Sequence, residues 1–390
     1  MSNTKTYDVL VVGAGVFGAW TALQLARRDQ SVLLIDAYGP GNAQSSSGGE
    51  SRIIRMGYGA DELYTRWATR SLVQWTELLA DTMGSPALFH KTGVLWLGSK
   101  EYAGFNGMTA VLTRCKVPFE SLSSSAIAQR YPQFSSHDLS SGILETESGV
   151  LMARRAVSEV VESALSLGVE YRHAQVTPPN KTDSRSSKLD AISTSDGERI
   201  PAGQFVFACG AWLGKIFPEI LGPRIFPSRQ EVFFFGVPPG DDQFSAGSLP
   251  TWLIQADEVY GMPDLESRGF KIAFDSHGQH VDPDTQTRVV SAESIERVRA
   301  YVAKRFPALA NSPIVETRVC QYENTSNGDF LIDRHSEMKN VWFAGGGSGH
   351  GFKHGPAFGE YVAQQILDSG PAEPRFSLAS KATEQMRAVY

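Results

Sequence analysis

The chain has 390 residues, 42% of them hydrophobic and 20% charged, with a net charge of −6. That length exceeds one simple core, so two domains are expected, and an acidic balance with scattered basic residues argues against a nucleic-acid partner. Three cysteines, Cys115, Cys209 and Cys320, are too few and too scattered for a disulfide framework or a zinc site.

The segment before Asp8 is polar, without a charged-then-apolar leader, and no apolar run reaches the ~18 residues of a spanning helix. Ala388-Val389-Tyr390 matches no retention or peroxisomal address. A cytoplasmic protein with no membrane partner is therefore expected, and the sequons at Asn180 and Asn324 carry no weight.

Asp8–Val12 is a short apolar run of the kind expected for a buried parallel strand. Gly13-Ala-Gly-Val-Phe-Gly18 follows, then a helical stretch from Ala19 to Arg28 and a second apolar strand, Ser31–Asp36. Strand, glycine turn, helix and strand make a βαβ unit with a G-x-G-x-x-G turn in its required place. Gly13 permits the tight turn, Gly15 lets a pyrophosphate approach the backbone, and Gly18 lets helix and strand pack closely. The helix N-terminus, with Val16 and Phe17, offers unpaired N–H groups to the phosphates. Asp36, with Ala37 after it, ends the second strand and should accept from ribose hydroxyls, which disfavours a 2′-phosphate. This pattern says dinucleotide without separating FAD from NAD. A small-residue loop, Asn42 to Gly49, follows and places Ser45 and Ser46 where they could lie along an extended cofactor.

Apolar positions at helical spacing predict helices over residues 61–80 and 156–167, the second capped by Gly168. Phe205–Gly210 reads as a buried strand ending in a turn, and polar residues 178–197 before it as an exposed loop or hairpin. Residues 226–284 are strand-like and rich in aromatics. A helix near 294–306 follows, then a glycine-rich segment, Ala344 to Gly355, leading into a last helix. The βαβ character at both ends, with a different middle, suggests a nucleotide domain interrupted by a substrate domain.

Five short motifs occur in order: Ser51-Arg-Ile-Ile-Arg55, His90-Lys-Thr-Gly-Val94, Gly210-Ala-Trp212, Cys320-Gln-Tyr322 and Gly349-His-Gly-Phe-Lys353. Together they resemble the monomeric sarcosine oxidase family, which includes pipecolate, N-methyltryptophan and fructosyl-amino-acid oxidases, from Tyr7 to about Leu367. The resemblance implies an α/β fold: a glutathione-reductase-like, Rossmann-type FAD-binding domain with a mixed-sheet α+β substrate domain. The expected FAD-binding segments are 1–85, 150–222 and 325–390, and the substrate segments 86–149 and 223–324.

The same resemblance assigns roles. Cys320 matches the covalent attachment point of the FAD. Arg55 and Lys353 match the pair that holds a substrate carboxylate, a use that suits an Arg fork and a Lys point charge. Arg52 and Ser51 lie against the flavin. Lys271 matches the oxygen-activating lysine, which without the resemblance would read as an edge-strand lysine. His350 matches a histidine near the flavin. Tyr260 and Tyr322 are expected in an aromatic cage around the substrate. Gly347, Gly349 and Phe352, in the glycine-rich segment, and Gly210 and Trp212 complete the expected cofactor contacts. His350 and His354 are four apart, but no further ligands accompany them, so no metal is expected.

Two positions depart from the sarcosine-type pattern. Asp275, with His277 beyond it, stands where that pattern has a histidine, and Ala60-Asp61 stands where it has a glutamate. Both changes are expected in the substrate pocket, which puts sarcosine itself in doubt. The implied activity is an oxidase of a secondary amine or an N-substituted or cyclic amino acid. It would move a hydride to FAD, hydrolyse the imine and reduce O₂ to H₂O₂, as a monomer acting on small molecules. The alternatives are a dehydrogenase passing electrons to a protein or quinone, and a non-catalytic flavoprotein.

Overall fold

A computed structural model describes residues 6–80, 87–99, 105–179, 187–276, 278–368 and 370–386. Asn180, His277 and the terminal Ala388-Val389-Tyr390 lie outside the described residues.

The run Asp8–Val12 forms the strand Tyr7–Val12, with Leu10 and Val11 fully buried, as a strand covered on both faces requires. It lies at the centre of a sheet ordered Leu331–Arg334, Val341–Gly345, Arg199–Phe207, Tyr7–Val12, Val32–Asp36, Glu170–His173. The last five run parallel, and Leu331–Arg334 pairs antiparallel at one edge. Of the polar stretch expected as a loop or hairpin, the described residues 187–197 include the strand Ala191–Ser193, which pairs antiparallel with Arg199–Phe207 as a hairpin. The helix Val16–Ala26 is apolar nearly all round and is buried between the sheet and the helices Ala153–Ser166 and Gly355–Leu367. Gly168, at φ +91°, ends the helix Ala153–Ser166 as a left-handed cap.

The aromatic middle of the chain folds into a second, mixed sheet. Its order is Ile314–Asn324, Phe226–Phe235, Phe270–Phe274, Val259–Met262, Thr251–Ile254, Val94–Ser99, Leu139–Glu145, Phe119–Ser123. Side chains alternate across it. Phe233 and Phe235 enter one core with Trp252, Phe270 and Phe306, while Val232 and Phe234 join Ala273 and Tyr260 on the other face. In the register of the first two strands, Gln230 lies opposite Cys320 and Ser228 opposite Tyr322. A small third sheet, Arg52–Ile54, Gly149–Leu151 and Phe89–His90, lies between these two in sequence and carries Arg52.

Candidate active site

A cleft opens at the C-terminal ends of the parallel strands. Of the residues singled out in the sequence, it is lined by Gly13, Gly15, Val16, Phe17, Asp36, Ala37, Ser45, Ser46, Arg52, Gly210, Trp212, Gly347, Gly349 and Phe352. The three glycines of the turn divide their work. A Cβ on Gly13, at φ +105°, would sit 2.3 Å from the Ala208 carbonyl oxygen, and one on Gly18 would sit 1.7 Å from that of Gly13. These two serve packing, and Gly18 does not line the cleft. A Cβ on Gly15 would meet only the Ser47 hydroxyl, at 3.4 Å, so this glycine's missing side chain is open space on the cleft wall. Asp36 braces the turn. Its Oδ2 accepts from the Ala14 N–H at 2.7 Å, and its Oδ1 from the Tyr38 and Gly39 N–H groups at 2.7 and 2.8 Å.

Two buried oxygens on this wall, Ser46 Oγ and Glu323 Oε1, have no hydrogen-bond partner among the described residues. Burial pushes the Glu323 carboxyl up to about 7, against the opposing pull of the Gly346 and Gly347 amides. The cradle at Gly15, the uncapped start of the helix and these unpartnered oxygens fit a long polar ligand such as FAD. Glu323 and Ser47, whose hydroxyl accepts from the Val16 N–H at 3.0 Å, were not picked out from the sequence. Glu323 directly follows the Cys-Gln-Tyr motif, and an acid at the end of a strand was the available signal.

An inner pocket shares Arg52, Tyr322, Gly349 and Phe352 with the cleft, and adds Ser51, Arg55, Gln230, Tyr260, Asp275, Cys320, His350 and Lys353. Arg55 is held between the rings of Tyr58 and Trp96, at 4.6 and 4.7 Å from their centroids. Buried Glu145 fixes that segment by accepting from the Met56 and Gly57 amides at 2.7 and 2.8 Å and from Trp96 Nε1 at 2.7 Å. Lys353 Nζ donates to Tyr58 OH at 2.8 Å and to the His350 carbonyl at 2.9 Å. The two histidines converge on one hydroxyl: Tyr58 OH lies 2.7 Å from His354 Nε2 and 3.2 Å from His350 Nδ1. Among the described residues neither Arg55 nor Lys353 forms an ion pair, although both are buried. Burial and the neighbouring Arg55 hold the Lys353 ammonium well below the usual lysine range, and burial and Lys353 hold His354 well below the usual histidine range. Tyr58 and Glu145 carried no motif in the sequence, and His354 was marked there only by its four-residue spacing from His350.

Cys320 receives the Arg52 guanidinium at 3.3 Å, and the same group donates to the Ser46 carbonyl at 2.9 Å. Lys271 lines neither cavity. It stands behind Ser51, donating to its carbonyl at 2.8 Å and to its hydroxyl at 3.0 Å, and burial with the nearby Arg52 lowers its ammonium well below the ordinary range. Tyr260 and Tyr322 both line the inner pocket, and Tyr322 OH donates to Asp275 at 2.9 Å.

One expectation is corrected. Asp275 is on the pocket wall, but Ala60 and Asp61 are not. Ala60 is exposed, and the Asp61 carboxylate is taken by Arg375 at 2.6 and 3.1 Å, away from the substrate space.

A cleft built for a dinucleotide, joined to a pocket with unpaired cations, defines a flavin-dependent oxidoreductase. The chain matches the FAD dependent oxidoreductase family over residues 8–365 and belongs to it. Within that family it is 32% identical to a monomeric sarcosine oxidase from Bacillus sp. (strain B-0618), over 96% of this chain and 95% of the relative. It is 27% identical to an N-methyl-L-tryptophan oxidase from Salmonella arizonae, over 94% and 96%. The fold is shared with an L-proline dehydrogenase from P. horikoshii, with a TM-score of 0.82 at 21% identity over 96% of this chain and 97% of the other. Among the described residues no helix is long and apolar enough to cross a membrane.

Proposed function

We propose that this flavin-dependent oxidoreductase is an oxidase of N-substituted or cyclic α-amino acids, working as a monomer on small molecules. The observation that carries the reading is the pair of buried basic groups, Arg55 and Lys353, without an ion pair among the described residues and on the wall of a pocket continuous with the cofactor cleft. A small ligand with a carboxylate satisfies both, and their desolvation penalty falls when it binds.

FAD held in the cleft would supply the two-electron acceptor for oxidation of the carbon beside the amine nitrogen, with O₂ as the final acceptor and H₂O₂ as its product. The protein supplies position and charge. Tyr58, Trp96 and Glu145 fix Arg55 before substrate arrives, so little side-chain entropy is lost on binding. The apolar wall of Val232, Leu253, Met262 and Ala273 keeps water from the reacting carbon. We assign Lys271 to the oxygen step from behind Ser51, to whose hydroxyl it donates at 3.0 Å; in its ammonium form it favours the negative charge that develops on O₂ as it is reduced. Cys320 is proposed as the covalent anchor of the cofactor, with the Arg52 guanidinium orienting its sulfur by donating to it at 3.3 Å. Asp36, Gly15 and the amides of the Gly345–Gly349 segment are proposed to hold the adenosine, pyrophosphate and flavin ends.

Anaerobic addition of N-methyl and cyclic amino acids to the purified holoenzyme tests this. The flavin absorbance is expected to bleach, and in air one H₂O₂ should form per substrate consumed. Bleaching without peroxide would transfer the reading to a dehydrogenase, and no bleaching by any such amine would overturn it. In the same preparation, yellow colour should stay with acid-precipitated protein if Cys320 carries the cofactor.

A further inference from the structure

Asp275 stands on the inner-pocket wall with Arg55 and Lys353. It follows the strand Phe270–Phe274, and its own N–H donates to the Glu258 carbonyl at 2.7 Å, which fixes its backbone. Its Oδ1 accepts from Tyr322 OH at 2.9 Å. A carboxylate offers about four acceptor sites, so that single bond leaves room for further donors. Asp275 forms no ion pair among the described residues, although the charges of Arg55 and Lys353 both reach it, partly offsetting the upward push of burial on its carboxyl. The pocket therefore holds two basic groups and one carboxyl, close enough to feel each other, with no ion pair to any of them among the described residues. Buried charges in that state are costly until a ligand pairs with them. A ligand of one sign pairs with only part of the set.

We infer that the pocket selects its substrate as a zwitterion, with Asp275 as the specificity residue that receives the ammonium group and takes its proton before the C–H bond breaks, while Arg55 and Lys353 receive the carboxylate. The inference rests on the oxidase reading above and sharpens it. Simple amines without a carboxylate, and carboxylates without an amine, leave charge in the pocket unpaired. The amide nitrogen of Gln230, buried on the same wall and without a partner among the described residues, adds a donor for a polar group further along the substrate.

Two ligands of the same shape separate the readings. Pivalate and 2-aminoisobutyrate differ only by a methyl in place of an ammonium, and neither has the α-hydrogen needed to bleach the flavin. Each is titrated into the holoenzyme and followed by perturbation of the flavin absorbance. The wild type is expected to prefer 2-aminoisobutyrate by tenfold or more, the scale of one charge-assisted hydrogen bond. Asp275→Asn should abolish that preference and leave pivalate affinity within about threefold. Equal affinity for the two ligands in the wild type overturns the inference by itself, whether or not the variant folds. Equal loss of both ligands in Asp275→Asn also overturns it, and Asp275→Glu should regain part of the preference if the charge matters. In either case pivalate binding and amine-driven bleaching leave the oxidase reading standing. If neither ligand binds and no amine bleaches the flavin, that reading has failed and this inference falls with it.

Discussion

Lys353 shows how burial turns a side chain into a conditional cation. It is 4% exposed, with Arg55, Asp275, Glu145, Tyr58, His350 and His354 around it. Desolvation first, and Arg55 second, lower its proton affinity. Between that lowered value and the ordinary lysine value the unfolded chain holds a proton that the folded chain lacks, so this group's contribution to folding stability rises with pH. Carboxylate binding has the opposite dependence, because it needs the ammonium form. Pivalate affinity is therefore expected to fall by up to tenfold per pH unit above the depressed Lys353 value, as each binding event takes up a proton. Ionisation of Asp275, whose carboxyl is raised by burial, adds repulsion in the same direction. Lys353→Arg should flatten the alkaline fall, since a guanidinium stays charged; absorbance titrations across neutral and alkaline pH would show it. An unchanged slope in that variant would assign the proton to another group.

What the sequence revealed at this scale depended on motif matches. Arg55 and Lys353 were legible because their short motifs resemble a known pair. Asp61 was misplaced because its partner, Arg375, lies 314 positions away and nothing local marks the contact. Tyr58 and His354 were missed because their role is to hold Lys353, and a supporting hydroxyl or imidazole has no spacing of its own.

At the scale of elements, the turn from Tyr7–Val12 into Val16–Ala26 makes a sharper test than conservation of a motif would. Gly18→Ala puts a methyl 1.7 Å from the Gly13 carbonyl, backbone against backbone, so the turn must open and the parent sheet should lose its packing. Gly15 has φ −71°, which any residue adopts, and its added methyl meets one hydroxyl at ordinary distance. Gly15→Ala is expected to give a folded, colourless protein with near-normal circular dichroism, whereas Gly18→Ala should give little soluble protein. If Gly15→Ala purifies yellow with full flavin content, the phosphates do not pass over this position. This unit was readable in full from its apolar runs and glycines, because each acts on its immediate neighbours. The mixed sheet was readable only as strands. Its order, and the parallel pairing of Val94–Ser99 with Thr251–Ile254, depends on contacts that no local pattern encodes.

Across the whole molecule, the segment after the last helix returns to brace the pocket from behind. The family match stops at residue 365, yet Phe376 is fully buried against Tyr64, Trp67 and Phe330, and Phe330 stacks on His350 with 5.0 Å between ring centroids. Arg375 meanwhile spans Asp61 and Asp329, at 2.6 Å from each. The sequence gives only a turn-rich tail here, since one aromatic among prolines carries no periodicity. The two contacts should differ in weight. The Arg375 side chain is 35% exposed, and solvent screening limits such pairs to about 1 kcal/mol or less. Phe376 has no exposure, and truncating a buried phenylalanine costs about 3–5 kcal/mol through lost transfer energy and the cavity left behind. Denaturant unfolding of the holoenzyme should therefore rank Phe376→Ala well below Arg375→Met in stability. Because Phe376 reaches His350 through Phe330, and the His350 carbonyl holds Lys353, Phe376→Ala should also weaken pivalate binding at a denaturant concentration where the protein remains folded. A larger loss from Arg375→Met would mean that the ion pairs, and not the aromatic packing, tie this tail to the pocket.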